Sequence, residues 1–106
     1  MEKSILILGQ QGSGKTAKIN EFLSNNKKTF KQMSYTVFKM SNKRELKEQF
    51  EVIIIYEIHY VWNLGYLIDF GFTDQFQFVL ASQLDESQIS ESILSKFEVV
   101  NCSMVS

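Results

Sequence analysis

Residues 9 to 16 read "GQQGSGKT", three glycines followed at once by Lys15 and Thr16. The whole chain has only five glycines in 106 residues, so composition does not explain the crowding. Backbone N–H groups gather around an anion only where side chains leave room. Glycine supplies both that room and the unusual backbone angles of such a loop. A helix beginning near Gly14 aims its positive end at the same point. Lys15 adds a mobile cation, and the Thr16 hydroxyl suits a hard metal such as magnesium that accompanies phosphate. The chemistry implied is capture of a phosphate chain.

Such a loop needs a strand before it and a helix after it. Ser4 to Leu8 is a short apolar run ending in glycine, suited to a buried strand. Gly14 to Asn25 carries Ala17, Ile19, Phe22 and Leu23 at helical spacing. Asn25 and Asn26 are expected to close this helix, since asparagine tolerates the left-handed conformation. Met33 to Phe38 is rich in β-formers and predicts a strand. Ser41 to Phe50 predicts a short helix, with Asn42 and Glu45 at the spacing of a capping box. Phe50 to Glu57 is an unbroken, largely β-branched run and predicts the most buried strand. A helix is expected over Tyr60 to Phe70, ended by Gly71, and a strand over Phe76 to Ser82. Ile89 to Phe97 predicts a helix with Ile89, Ile93, Leu94 and Phe97 facing inward, and Glu98 to Cys102 a last strand. Strands separated by helices predict an α/β fold: an open, mainly parallel five-stranded sheet covered by helices on both faces.

The loop fits G-x-x-x-x-G-K-[ST] in full at Gly9, Gly14, Lys15 and Thr16. On these residues the chain resembles the P-loop NTPase superfamily, and nearly its whole length takes part. The resemblance implies a three-layer P-loop NTPase fold that binds ATP and Mg2+. It assigns nucleotide binding to Gly9, Gln10, Gln11, Gly12, Ser13, Gly14, Lys15, Thr16 and Ala17. "VIIIYEIH", Val52 to His59, resembles the apolar run, Asp-Glu, Ile-His motif of AAA+ ATPases. Glu57 then stands where the water-orienting carboxylate does, and Tyr56 where the metal-supporting aspartate is expected. A tyrosine offers a hydroxyl but no charge at neutral pH. The metal is therefore expected on Thr16, with Glu57 serving both roles. His59 is expected as a polar loop or helix-start residue.

Ser82-Gln83 closes the run "FVLA". It resembles the γ-phosphate-sensing strand end of FtsK/HerA-type ATPases and of phage-assembly ATPases related to zonula occludens toxin. The resemblance implies that Gln83 helps to fix the water. "SESILSKFEVV" resembles the AAA+ stretch whose arginine reaches the neighbouring subunit's nucleotide. Lys96 occupies that place, keeping the charge without the planar fork.

The length suits one compact domain, expected as a minimal ATPase core over 1–106 without a helical lid. No apolar run approaches the ~18 residues that cross a membrane. The apolar stretch in "MEKSILILG" is too short for a signal peptide. A single cysteine, Cys102, cannot form an internal disulfide and is expected as a packed thiol. These features predict a cytoplasmic protein with no membrane partner.

The net charge of −1 hides an asymmetry. Lys15 to Lys47 holds nine basic and two acidic residues, whereas Glu48 onward holds nine acidic and one basic. If the two parts fold onto different flanks, the dipole suits head-to-tail homo-oligomers, or a basic flank facing a polyanion such as nucleic acid. The aromatics nearest the basic stretch, Phe30, Tyr35 and Phe38, have a spacing that suits packing rather than base stacking.

The leading expectation is an ATP-binding, ATP-hydrolysing AAA+-like core in nucleic-acid work: replication, packaging or phage assembly, with nucleic acid or protein as partner. The alternative is a non-catalytic nucleotide-dependent switch or subunit, to which Tyr56, Lys96 and the missing lid point. The loop spacing also fits small-molecule kinases, but their lids use several arginines and this chain has only Arg44. The guanine-reading N-K-x-D pattern is absent, which favours adenine.

Overall fold

The computed structural model describes residues 3–102. Five parallel strands form one sheet: β1 (Ser4–Leu8), β2 (Phe30–Met33), β3 (Val52–Ile58), β4 (Gln77–Ser82) and β5 (Phe97–Asn101). Their order across the sheet is β2-β3-β4-β1-β5. The helices are α1 (Lys15–Asn25), α2 (Tyr35–Met40), α3 (Lys43–Gln49), α4 (Val61–Asp69) and α5 (Glu91–Leu94). The three-layer α/β arrangement expected from the alternating pattern is present.

Side-chain alternation divides the core into two layers. Leu6, Leu8, Ile53, Ile55, Phe78 and Leu80 face one side, under Phe38 of α2 and Leu64 and Leu67 of α4. Ile7, Val52, Ile54, Val79 and Ala81 face the other, where α1 lays Ile19, Phe22 and Leu23. Val52 to Ile55 are wholly buried because helices cover both faces of β3 while β2 and β4 flank its edges.

The predicted strand over Met33 to Phe38 is corrected. Strand β2 ends at Met33, and Tyr35–Met40 is helical. Ser34 caps the helix, its Oγ accepting from the Val37 N–H at 3.2 Å. Tertiary burial overrides the β-propensity of this segment. A helical turn puts Tyr35 and Phe38 on one face, and Phe38 is fully buried with edge-to-face contacts to Phe72, Phe76 and Phe78 at 5.3–5.8 Å. Helix α1 also closes differently from expectation. Asn26 is extended (φ −126°), and both its backbone N–H and its Nδ2 donate to the Phe22 carbonyl. Asn42 caps α3 as expected, accepting from the Glu45 N–H at 3.1 Å. Gly71, at φ 73°, follows α4 as expected.

The strand order separates the charge. The β2 flank, residues 27 to 51, carries seven basic and three acidic residues, while the β5 flank, residues 85 to 101, carries four acidic and one basic. Among the described residues no helix is long and apolar enough to cross a membrane. Cys102 continues the β5 ladder, its N–H donating to the Leu8 carbonyl at 2.7 Å, and packs at the edge of the α1-side core.

Candidate functional site

Parallel strands bring their carboxyl ends to one edge, the usual place for ligands in open α/β sheets. The loop follows β1, Glu57 lies near the end of β3, and Gln83 follows β4. Because β4 lies between β1 and β3, Gln83 emerges between the loop and Glu57. A cleft of about 520 Å³ results. Lys15, Thr16, Tyr56, Glu57, His59 and Gln83 line it, together with Gln11, Gly12 and Gly14 of the loop. Gly9 and Gln10 form the base of the loop and border a smaller neighbouring cleft with Asp85 and Cys102. Ala17 lies in the first turn of α1.

The loop has the features of a phosphate cradle. Gly12 and Gly14 stand at φ 82° and 93°, angles at which a Cβ is strained. Gly14 caps α1 without any side-chain hydrogen bond, and no acidic residue occupies the first turn. The N–H groups at that end are thus left for an anion. Gly9 is required for space, since a Cβ there would overlap Ser13 Oγ and come within 2.6 Å of the Cys102 carbonyl oxygen. Lys15 Nζ donates to the carbonyls of Gly9 (2.5 Å) and Gln10 (3.0 Å), which holds the cation over the loop. Ser13 Oγ is buried without a hydrogen-bond partner, an uncompensated polar group in the loop. Open glycines, uncapped helix and held ammonium together fit a polyphosphate. Glu57 is the one carboxylate lining the cleft among the described residues. Among the described residues no group of three or more His, Cys, Asp or Glu side chains could hold a metal. Magnesium would therefore depend on Thr16, Glu57 and the oxygens of the phosphate itself.

Glu57 owes its position to a break in the β3 ladder. Ile55 pairs with Leu80 and Ile58 with Ser82, so β3 spends three steps where β4 spends two. This is a β-bulge. Glu57 absorbs it at φ 59°, the only non-glycine residue with positive φ among those described. In a regular strand, Glu57 would share a face with Ile53 and Ile55 and enter the apolar layer. The bulge puts Ile58 into that layer, fully buried, and leaves Glu57 exposed at the cleft. Its carboxylate makes no hydrogen bond or ion pair among the described residues. A left-handed glutamate costs about 1–2 kcal/mol and persists only where the surroundings impose it. A sequence signal exists: strict alternation assigns the charged Glu57 to the same face as the apolar Ile53 and Ile55.

Sequence reasoning also missed the part played by Ser82. Its buried hydroxyl donates to the Ile58 carbonyl at 2.5 Å and accepts from the Leu84 N–H at 3.0 Å. Its own carbonyl accepts from the Gly9 N–H at 3.1 Å. One residue thus ties together the glycine loop, the end of β3 and the turn beyond Gln83. Tyr56 packs against the α1-side core while bordering the cleft. Lys96 is not brought to the cleft. It immediately precedes β5 and so lies at the opposite end of the parallel sheet.

No protein-family model and no curated protein matches the chain. Solved structures do. One is of Pif1 helicases, concerned with DNA unwinding at forked double-stranded DNA: TM-score 0.62, 15% identity, over 100% of this chain and 41% of that one. Another concerns katanin self-assembly: TM-score 0.58, 19% identity, over 95% of this chain and 40% of that one. Both neighbours are P-loop NTPases. This is a P-loop NTPase fold. The chain spans about two fifths of the length of each of these proteins, and at such identities the likeness is one of fold.

Proposed function

We propose that residues 1–106 form a minimal ATP-binding and ATP-hydrolysing core domain acting in nucleic-acid transactions. The observation carrying this reading is the bulge that turns Glu57 out of the core toward the cleft that also holds Lys15 and Thr16. A strained carboxylate without a partner at the edge of an anion cradle suits a general base.

In this reading the triphosphate lies along the loop N–H groups and the start of α1. Lys15 Nζ leaves the Gly9 and Gln10 carbonyls for the phosphoryl oxygens. Thr16 and Glu57 would hold the magnesium, whose charge would offset that of the phosphates. Glu57 accepts a proton as water bonds to the γ-phosphorus and the bond to the bridging oxygen breaks, giving ADP and phosphate. The Gln83 amide orients that water. Tyr56 brings no carboxylate, so turnover is slow. Lys96 serves a neighbouring copy if it serves any nucleotide, and the basic β2 flank and acidic β5 flank suit head-to-tail assembly.

One observation favours the alternative, a nucleotide-dependent switch: Tyr56 packs on the core where a second carboxylate would aid the metal. Calorimetry with Mg-ATP and phosphate release together test both. Wild type is expected to bind and to release phosphate, Lys15→Ala to lose binding, and Glu57→Gln to bind without turnover. Tyr56→Asp is expected to raise turnover. Binding without turnover in wild type and Tyr56→Asp alike would establish the switch, and no binding at all would refute both readings.

A further inference from the structure

A second cleft of about 520 Å³ adjoins the first on the β2 side and shares Tyr56, Glu57 and His59 with it. Lys39, Tyr60, Trp62 and Asn63 are among its other lining residues. Tyr60 and Trp62 are stacked, with centroids 4.3 Å apart and planes 8° from parallel. Both remain largely in water, at 52% and 68% exposure. A stacked pair that buries little surface contributes little to folding, yet it offers a flat π-face on which a further ring can continue the stack. Lys39 is the cation lining this cleft; it makes no ion pair among the described residues, and its ammonium lies over the rings of Tyr35 and Tyr66, 5.5 and 5.2 Å from their centroids. The flank from 27 to 51 to which it belongs has an excess of base.

We infer that this face binds an unpaired nucleic-acid strand, with a base stacked on the Tyr60–Trp62 pair and Lys39 set against the phosphates. Stacking surface and cations together match a chain that alternates flat rings with negative charge. A duplex keeps its bases stacked on one another and offers none to the aromatic pair. A protein partner would use the rings but gain less from the excess of lysine. This deepens the reading above by naming the partner beside the same carboxylate, because residues 56, 57 and 59 border both clefts. Of the aromatics within the basic stretch, Phe38 is fully buried, and Tyr35 lines this cleft but is half-buried with its ring edge-on to Tyr66, so neither offers a free stacking face like that of the Tyr60–Trp62 pair.

Trp62 is the only tryptophan, so its emission reports directly on the platform. Titration of the full chain with an oligothymidylate of about 20 nucleotides is expected to quench it saturably, since base–aromatic stacking is sequence-tolerant. An oligouridylate of equal length is expected to quench as well, and the tighter of oligouridylate and oligodeoxyuridylate, which differ only in the 2′-hydroxyl, names the sugar. Trp62→Ala is expected to weaken binding of a dye-labelled oligothymidylate about tenfold by anisotropy, with Trp62→Phe recovering most of it. Lys39→Gln is expected to lower the salt slope by about 0.7. Equal quenching by inorganic polyphosphate or by duplex DNA overturns the proposal, as does tighter binding of unfolded carboxymethylated casein, which would mark a protein site. Calorimetry with Mg-ATP on the same sample separates the two readings. Nucleotide binding without quenching by either oligonucleotide refutes only the present one, and quenching without nucleotide binding refutes only the ATPase.

Discussion

Replacing Glu57 by glycine is expected to stabilise the fold while abolishing the proposed hydrolysis. Glu57 stands at φ 59° with an exposed side chain and no hydrogen bond or ion pair among the described residues, so truncation gives up little. The Cβ in the left-handed region costs about 1–2 kcal/mol. Glycine removes that cost but returns about 0.4–1 kcal/mol through its freer unfolded chain. The difference leaves roughly 0.8 kcal/mol of added stability. For a domain of this size that raises Tm by about 3–6 °C. Glu57→Ala is the control, since it removes the same carboxylate and retains the Cβ. Urea and thermal unfolding followed by far-ultraviolet circular dichroism should rank the glycine variant above both alanine and wild type, with Glu57→Asn between glycine and alanine. Phosphate release should be lost in all three. If glycine melts at or below alanine, the bulge does not hold residue 57 in the left-handed region, and the account of how Glu57 reaches the cleft is wrong.

Gly9→Ala should destabilise the protein by about 1–3 kcal/mol and abolish Mg-ATP binding, because the new methyl overlaps Ser13 Oγ and crowds the Cys102 carbonyl. Unfolding and calorimetry on one preparation check both effects. Ser82→Ala removes the hydrogen bonds to Ile58 and from Leu84 inside the core. It should cost about 1–3 kcal/mol in urea unfolding and reduce turnover more than nucleotide affinity, since it loosens the seats of Glu57 and Gln83 rather than the loop N–H groups. Ser13→Ala deletes a buried hydroxyl that has no partner, so the ligand-free protein should be as stable as wild type or up to about 1 kcal/mol more stable.

The conformation of the glycine loop was legible because its determinants are local. Glycines at φ 82° and 93°, a strand before and a helix after are written within some twenty consecutive residues. The buried strands were legible for a similar reason: β3 and β4 are covered on both faces, so their apolar runs are continuous. The segment from Tyr35 to Phe38 misled because its β-formers are overruled by aromatic partners near residues 72 to 78, which no local window contains. Glu57 could be named from its motif, but its exposure could not.

The residue types at Gly9 to Thr16 and at Glu57 determined by themselves which chemistry is available, because backbone freedom and ionisable groups belong to the residues. Only the tertiary structure decided where those groups stand. Strand order set Gln83 between the loop and Glu57, the bulge turned the carboxylate out of the core, Lys96 was left at the far end, and Tyr60 and Trp62 were brought beside the basic flank. Each of these depends on which strand pairs with which and in what register. That choice is made by burying the whole apolar set at once, so no short stretch of the chain contains it.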